Sequence, residues 1–271
     1  MSIDIPQVAA LLREAAQSEI LPRFNCLKDS EIFEKTGPND LVTAADLASE
    51  ALLSERLLEM LPGSVVVGEE GAAKDPDILN HLSGEDAVWI IDPVDGTLNF
   101  TKGNREFAVI VALVRKGIVR AGWIHHVLDD NGVSAEEGGG AWDSDGKRLH
   151  VAEAAPFGEM AAALYVGARR TPELYERIKA LKSRRGPRSH MSCAGAEYLA
   201  LARGTTHYAI FTRLMPWDHA AGYLIHAEAG GYAAMMDDER PYRPEPVDRN
   251  LLLAPDIDTW HELRSLLLGN E

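Results

Sequence analysis

One segment constrains this chain more than any other: Trp89-Ile90-Ile91-Asp92-Pro93-Val94-Asp95-Gly96-Thr97-Leu98-Asn99-Phe100. The run Ala87–Ile91 is apolar on both faces and reads as a central strand. It leads straight into two carboxylates three residues apart. Charges at a buried strand end are costly unless they are paired or hold a cation, and no Lys or Arg lies within the segment. Pro93 fixes a bend, Gly96 lets the backbone approach a ligand, and Thr97 can cap a following helical turn. Free N–H groups at such a turn attract an anion. The fold is therefore expected to set carboxylates for a cation beside N–H groups for a phosphate.

Three further segments carry the same kind of chemistry. Val65-Val66-Val67-Gly68-Glu69-Glu70-Gly71 again ends a strand in acids flanked by glycine. Pro216-Trp217-Asp218-His219-Ala220-Ala221-Gly222 places Asp218 at the opening of a helix whose small residues allow close packing, although Asp218 could equally be a simple N-cap. Glu34-Lys35-Thr36 through Asp40-Leu41-Val42-Thr43-Ala44-Ala45-Asp46 sets Thr43 and Asp46 at capping-box spacing, with Lys35 in the same stretch. No His/Cys cluster has zinc spacing, and the adjacent His125 and His126 would point to opposite faces of a strand. Oxygen-only ligands favour Mg²⁺, Mn²⁺ or Ca²⁺. Together with anion-binding N–H groups they suggest phosphoryl hydrolysis by metal-activated water.

Composition narrows the partners. Asp plus Glu number 42 against 27 Lys plus Arg, a net charge of −15 at pH 7, so phosphate-rich nucleic acids and anionic membranes are repelled at long range. With 46% hydrophobic residues and five Trp, the 271 residues can build the core of one large domain or two small ones. No run approaches a membrane span. The start, Met1-Ser2-Ile3-Asp4, lacks a basic n-region, so a cytoplasmic location is expected. Cys26 and Cys193 are expected as free thiols. The sequon Asn99-Phe100-Thr101 is read as chance.

Periodicity predicts helices over Pro6–Leu21, stopped by Pro22, and from about Thr43 to Leu61. Strands follow over Ser64–Val67 and Ala87–Ile91, then a hairpin, Phe107–Val114 and Ile118–Val127, about Lys116-Gly117. Val133–Val151 reads as short strands joined by Gly-rich turns, so the first half resembles an antiparallel sheet behind helices. The second half alternates. Helices are expected at Pro172–Leu181, about Ser192–Ala202, Asp218–Ala229 and Ile257–Leu268, with strands at Thr206–Phe211 and Leu251–Ala254. A soft boundary falls near 150–160.

The four motifs, in this order and over nearly the whole chain, resemble the inositol monophosphatase family, within the group that includes fructose-1,6-bisphosphatases and 3′-nucleotidases. That resemblance implies a layered α+β or α/β fold, the αβαβα sandwich of that type. An N-terminal half, 1–153, would carry most metal ligands. A C-terminal half, 154–271, would carry Asp218, the two forming one catalytic unit. By the same resemblance Glu69, Asp92, the Val94 carbonyl, Asp95 and Asp218 bind two or three Mg²⁺, with Asp92 bridging. Asp46, Glu69 and Thr97 serve catalysis, Asp46 and Thr97 orienting the attacking water. The backbone of Gly96 and Thr97 holds phosphate, and Lys35 helps electrostatically. Asp95, Ser192, Cys193, Phe211, Arg213 and Asp218 lie on the substrate side. Inositol-selective members carry a Glu seven residues before the Asp of the last motif; here that position is Phe211, with Arg213 close by.

The implied activity is a Mg²⁺-dependent, lithium-sensitive phosphomonoesterase for a small polyol or sugar phosphate such as inositol 1-phosphate, working as a homodimer. Two alternatives stand beside it. The same chemistry could act on fructose 1,6-bisphosphate, histidinol phosphate or a 3′-phosphonucleotide. An RNA-associated regulator would use the basic cluster Lys179, Lys182, Arg184, Arg185 and Arg188, with Arg169 and Arg170 upstream. The net charge opposes this last reading.

Overall fold

A computed structural model describes residues 3–37 and 40–269; Met1 and Ser2 of the N-terminal stretch lie outside them. Helix α1 (Ile5–Ala15) begins on Asp4, whose carboxylate accepts the Gln7 N–H at 3.0 Å. The expected helix to Leu21 continues past Ala15 only as a π-turn over Ala16–Ile20 and a 3₁₀ turn over Leu21–Arg23. Pro22 offers no N–H to an α ladder there. Strands β1 (Ile32–Gly37) and β2 (Asp40–Thr43) then form an antiparallel hairpin that the residue pattern did not announce. From Thr43 the chain enters α2 (Ala44–Met60) through a complete capping box with Asp46.

The first sheet lines up β3 (Val65–Gly68), β4 (Ala87–Asp95), β5 (Ala108–Arg115), β6 (Ile118–His126), β7 (Asn131–Glu136) and β8 (Gly140–Asp143) in that order. Neighbours are antiparallel except β3, which runs parallel to β4. This corrects the antiparallel reading of the first half. The link between β3 and β4 contains α3 (Glu69–Lys74) and a 3₁₀ stretch over Pro76–Ser83, the length a parallel return requires. The expected β5–β6 hairpin turns on Lys116 and Gly117, at φ 56° and 67°. A short helix, α4 (Thr97–Thr101), follows β4.

The second sheet has the order β10 (Arg188–Ser189), β9 (Ala162–Tyr165), β11 (Tyr208–Phe211), β13 (Leu251–Ala254) and β12 (Tyr232–Met235). Helices α5 (Pro172–Ala180), α6 (Ala194–Ala202), α7 (Pro216–Glu228) and α8 (Ile257–Leu268) complete this half.

Strand alternation sends successive side chains to opposite faces, and both faces here are apolar. Trp89, Ile91, Val109 and Trp123 pack on α1 and α2 through Leu12 and Leu53. Val88, Ile90, Ile110 and Ile124 face the other way, onto Tyr198 of α6 and Ile225 of α7. The same two helices cover Ala209, Phe211 and Leu253 of the second sheet. Its outer face, with Leu164, Ile210 and Leu252, rests on Leu174, Trp260 and Leu263 of α5 and α8. Five layers result: helices, sheet, helices, sheet, helices. Each large side chain so buried contributes about 1.5–3 kcal/mol. The middle layer is tight. A Cβ on Gly222 of α7 would lie 2.2 Å from the Tyr198 ring.

Candidate active site

Strand β4 carries both acids of the opening motif, its ladder to β5 interrupted by a bulge between Asp92 and Asp95. Asp92 is 2% exposed and Asp95 8%. Asp92 accepts the Val94 N–H at 3.1 Å. Gly96 then turns the chain at φ +86°, where an added Cβ would sit 2.7 Å from the Glu106 carbonyl. Only glycine meets both demands. Gly96, not Thr97, occupies the cap position of α4. The Thr97 hydroxyl instead turns back, 2.9 Å from the Val94 carbonyl and 3.1 Å from Asp46 Oδ1. It has one proton and serves one of them at a time.

Asp46 is fully buried at the start of α2. Its Oδ2 accepts the Thr43 N–H at 2.8 Å and the Thr43 hydroxyl at 2.6 Å. Burial pushes its pKa up to about 6 against those hydrogen bonds. The capping box is therefore also a functional element: the other oxygen of its acid reaches Thr97.

Glu69 opens α3 at the end of β3. Lys35, from the β1–β2 hairpin, donates to Glu69 Oε1 at 2.7 Å and to Glu70 Oε1 at 2.6 Å. Burial opposes the Lys35 charge, but Glu69 and Glu70 outweigh it and hold its pKa above the usual lysine value. Burial likewise drives the Glu70 carboxyl up to about 7, with Lys35 acting against the shift and Glu69 adding to it. A residue that the motifs did not flag completes this corner. Glu50, one turn along α2 from Asp46, accepts the Glu70 N–H at 2.9 Å and the Gly71 N–H at 2.8 Å. It caps α3, whose own N-cap, Gly68, has no side chain to do so.

Asp95 is held from the far half of the chain. Its Oδ2 accepts the Cys193 thiol at 2.8 Å and the Gly195 N–H at 2.6 Å, and its Oδ1 accepts the Ala194 N–H at 3.1 Å. Burial raises the Asp95 pKa and these hydrogen bonds oppose the rise. Cys193 is the buried N-cap of α6, and both cysteines are free thiols, as expected. Ser192 lies exposed at φ 55°, its N–H donated to the Tyr165 hydroxyl at 2.8 Å. The Tyr165 hydroxyl donates in turn to Glu197 Oε1, which also accepts the Met191 N–H, while Oε2 accepts the Ser189 hydroxyl. Tyr165 escaped sequence reading because its partners Ser192 and Glu197 are distant in sequence, and Glu197 because no motif marks the loop it holds. Asn99 ties α4 to the same loop. Its Nδ2 donates to the carbonyls of Glu106 and Met191, both at 2.8 Å, so the sequon amide is committed inside the fold.

Asp218 lies in the first turn of α7, two residues inside the helix start at Pro216, and so is not the N-cap. Its carboxyl faces that of Asp92. Burial, Asp95 and Glu69 all raise the Asp218 pKa, and Arg213 lowers it. Burial, then Glu69, Asp95 and Asp218, raises that of Asp92. The neighbouring His219 is buried and neutral. Its Nε2 donates to the Arg213 carbonyl at 2.9 Å and its Nδ1 accepts the Tyr198 hydroxyl at 3.0 Å. Phe211, 3% exposed, stacks between Tyr165 and Tyr198, each at 5.3 Å. A cavity of about 540 Å³ reaches Asp95, Asp218, Cys193, Phe211 and Arg213.

The acids thus gather at one place: Asp46 with Thr97, Glu69 with Lys35, Asp92 with Asp218, and Asp95 on its clamp. Asp92 and Asp95 are buried and Asp218 is half-buried, Asp95 and Asp218 raise the Asp92 pKa, and Lys35 is committed to Glu69 and Glu70. An all-oxygen donor set of this kind fits a hard divalent cation. Among the described residues no three His, Cys, Asp or Glu are already arranged as a coordination sphere. The chemistry of the donors matches the ion.

Comparison with known proteins agrees with the fold. The sequence pattern of the inositol monophosphatase family matches residues 4–266, and the chain belongs to that family. The inositol-1-monophosphatase of Bacillus subtilis is 35% identical over 207 residues, 76% of each chain. A Thermotoga maritima relative named fructose-1,6-bisphosphatase/inositol-1-monophosphatase is 32% identical over 198 residues, 73% of this chain and 72% of its own. The solved extragenic suppressor protein suhB of Bartonella henselae superposes with a TM-score of 0.82 at 23% identity, covering 97% of this chain and 98% of that one. At that identity the last likeness is one of fold, and it supports the five-layer reading.

Proposed function

We propose that this chain is a phosphoric monoester hydrolase acting on inositol phosphate or a related sugar phosphate. The observation that carries the reading is the convergence of Glu69, Asp95 and Asp218 on Asp92, with Asp95 and Asp218 lining one cavity. The names of the Bacillus and Thermotoga relatives support the substrate class. Glu69, Asp92, the Val94 carbonyl, Asp95 and Asp218 would hold two or three Mg²⁺. When bound, these ions would neutralise substrate charge and lower the pKa of a nucleophilic water.

The rest falls to the chain's own residues. The Thr97 hydroxyl, donating to Asp46 or to Val94, keeps its lone pairs for a water and so orients it. Asp46, with its pKa near 6, takes up a proton through Thr97 close to neutrality. The backbone N–H groups at Gly96 and Thr97 hold the phosphate. Lys35 fixes Glu69, and the clamp on Asp95 leaves that carboxylate one free lone-pair direction towards the cavity. Residues 1–153 and 154–271 act as one catalytic unit. Cytoplasmic location, a homodimer and lithium sensitivity belong to the same reading.

The test is phosphate release from inositol 1-phosphate with Mg²⁺, with EDTA, and in Asp95→Asn. Release is expected only from the Mg²⁺-loaded native chain. Near-native release by a correctly folded Asp95→Asn protein would refute the assignment.

A further inference from the structure

Between β10 and the Asp95 clamp runs a short loop that ends on Ser192. Ser192 is a non-glycine residue at φ 55°, in the left-handed region that a Cβ disfavours. A residue so strained persists only where its surroundings hold it. Here they do. The Ser192 N–H donates to the Tyr165 hydroxyl at 2.8 Å, and its carbonyl accepts the Asn99 amide at 3.3 Å. Directly after Ser192 come Cys193, Ala194 and Gly195, the three donors that grip Asp95. A rotation at Ser192 is thus passed to the Asp95 carboxylate within three residues.

Tyr165, the last residue of β9, is itself held. Its hydroxyl donates its one proton to Glu197 Oε1 at 2.9 Å, which leaves a lone pair to accept from Ser192. Its ring is fixed by stacking on Phe211 at 5.3 Å. Glu197 is fully buried in the first turn of α6. A buried carboxyl is costly unless its oxygens are satisfied. Oε1 also accepts the Met191 N–H at 2.8 Å, and Oε2 accepts the Ser189 hydroxyl at 2.9 Å. One acid therefore ties Ser189, Met191 and the phenol that holds Ser192. The network acts on Asp95 through residues 192–195.

We propose that Glu197 and Tyr165 are positioning residues for Asp95: they lock Ser192 in its left-handed conformation and so aim the 193–195 turn, which sets how Asp95 presents its carboxylate to a divalent cation. The proposal rests on the phosphatase reading above and extends it to the supports of one metal ligand. Groups that directly hold a ligand commonly matter about ten- to hundredfold for metal affinity. Tyr165 stands one step further back, so a smaller effect is expected.

The experiment uses the full chain, stripped of metal and titrated with Mg²⁺ by calorimetry, together with Tm and with kcat and KM for inositol 1-phosphate. Tyr165→Phe deletes the hydroxyl and keeps the stacked ring. It is expected to weaken Mg²⁺ binding roughly fivefold or more and to regain most of kcat at saturating Mg²⁺. Glu197→Ala should do the same. Glu197→Gln keeps an acceptor for Tyr165 and should stay within about twofold of native. A role confined to stability would lower Tm and leave Mg²⁺ affinity untouched, and that result overturns the proposal. So does a higher KM at unchanged Mg²⁺ affinity, which would make the Tyr165 hydroxyl a substrate contact. If the native chain binds no Mg²⁺, the phosphatase reading fails by itself, and iodoacetamide then decides on the loop. Alkylation of Cys193 in folded Tyr165→Phe supports the positioning role; protection equal to that of the native chain overturns it.

Discussion

The Cys193 thiol donates to Asp95 Oδ2 at 2.8 Å, joining residues 98 positions apart in sequence. Burial and the neighbouring Asp95 carboxylate push the thiol pKa well up. Thiolate is the reactive form, so iodoacetamide at pH 8 should label exposed Cys26 and spare Cys193. Intact mass is expected to show one adduct on the native protein and two after denaturation. Cys193→Ala removes a donor to a charged acceptor, worth roughly 1.5–3 kcal/mol. It should lower kcat/KM about tenfold or more, whereas Cys193→Ser, which keeps a donor, should stay within about threefold of native.

Glu50 is a second residue whose effect is transmitted through another. It caps the helix that begins with Glu69. Glu50→Ala should cost about 1 kcal/mol, as lost caps commonly do, and shift Tm down by about 2–4 °C for a chain of this size. Thermal unfolding followed by circular dichroism measures this. Glu50→Gln keeps an acceptor oxygen and should recover part of the loss.

Acid sensitivity should come from buried histidines. Burial lowers the pKa of His226 to about 3, and those of His125 and His219 to about 4. Their unfolded value is about 6.5. Between these limits the unfolded chain binds more protons, so stability rises with pH. It is fully present above pH ~6.5 and is lost as pH falls towards 4, at about 1.4 kcal/mol per pH unit for each histidine. His226 sits wholly inside the core, its ring packed against Gly231. Urea unfolding of His226→Phe should show a shallower slope between pH 4 and 6.5 by about one histidine's share, with native-like stability at pH 7.

Local strings revealed what the backbone encodes locally. Thr43 with Asp46, the run from Ala87 into Asp92 and Asp95, and the small residues after Asp218 each carry their geometry within a few residues. Thr97 suits a cap position by its residue type, but Gly96, with its left-handed φ, already fills that position. Tyr165 left no trace, since its meaning lies in contacts with Ser192 and Glu197 that only folding brings to it. Strands β9 (Ala162–Tyr165) and β12 (Tyr232–Met235) were hidden for another reason. They are Ala-rich, and Ala is a weak strand former; their small side chains suit a sheet pressed by helices on both sides. The basic cluster was legible as composition but not as geometry. Arg188 turns to the cavity while Lys179 pairs with Glu176 at 3.3 Å.

Helices α6 and α7 have a consequence for how the chain is made. They arise after residue 190, yet they cover the Ile90, Ile110 and Ile124 face of a sheet completed by residue 143. During synthesis that apolar face emerges well before its cover. A chain arrested near residue 153 would present it to solvent, where uncovered strands invite aggregation. Asp218 and the clamp on Asp95 arrive with the same two helices, so the closing of the core and the completion of the acid cluster are one late event in folding.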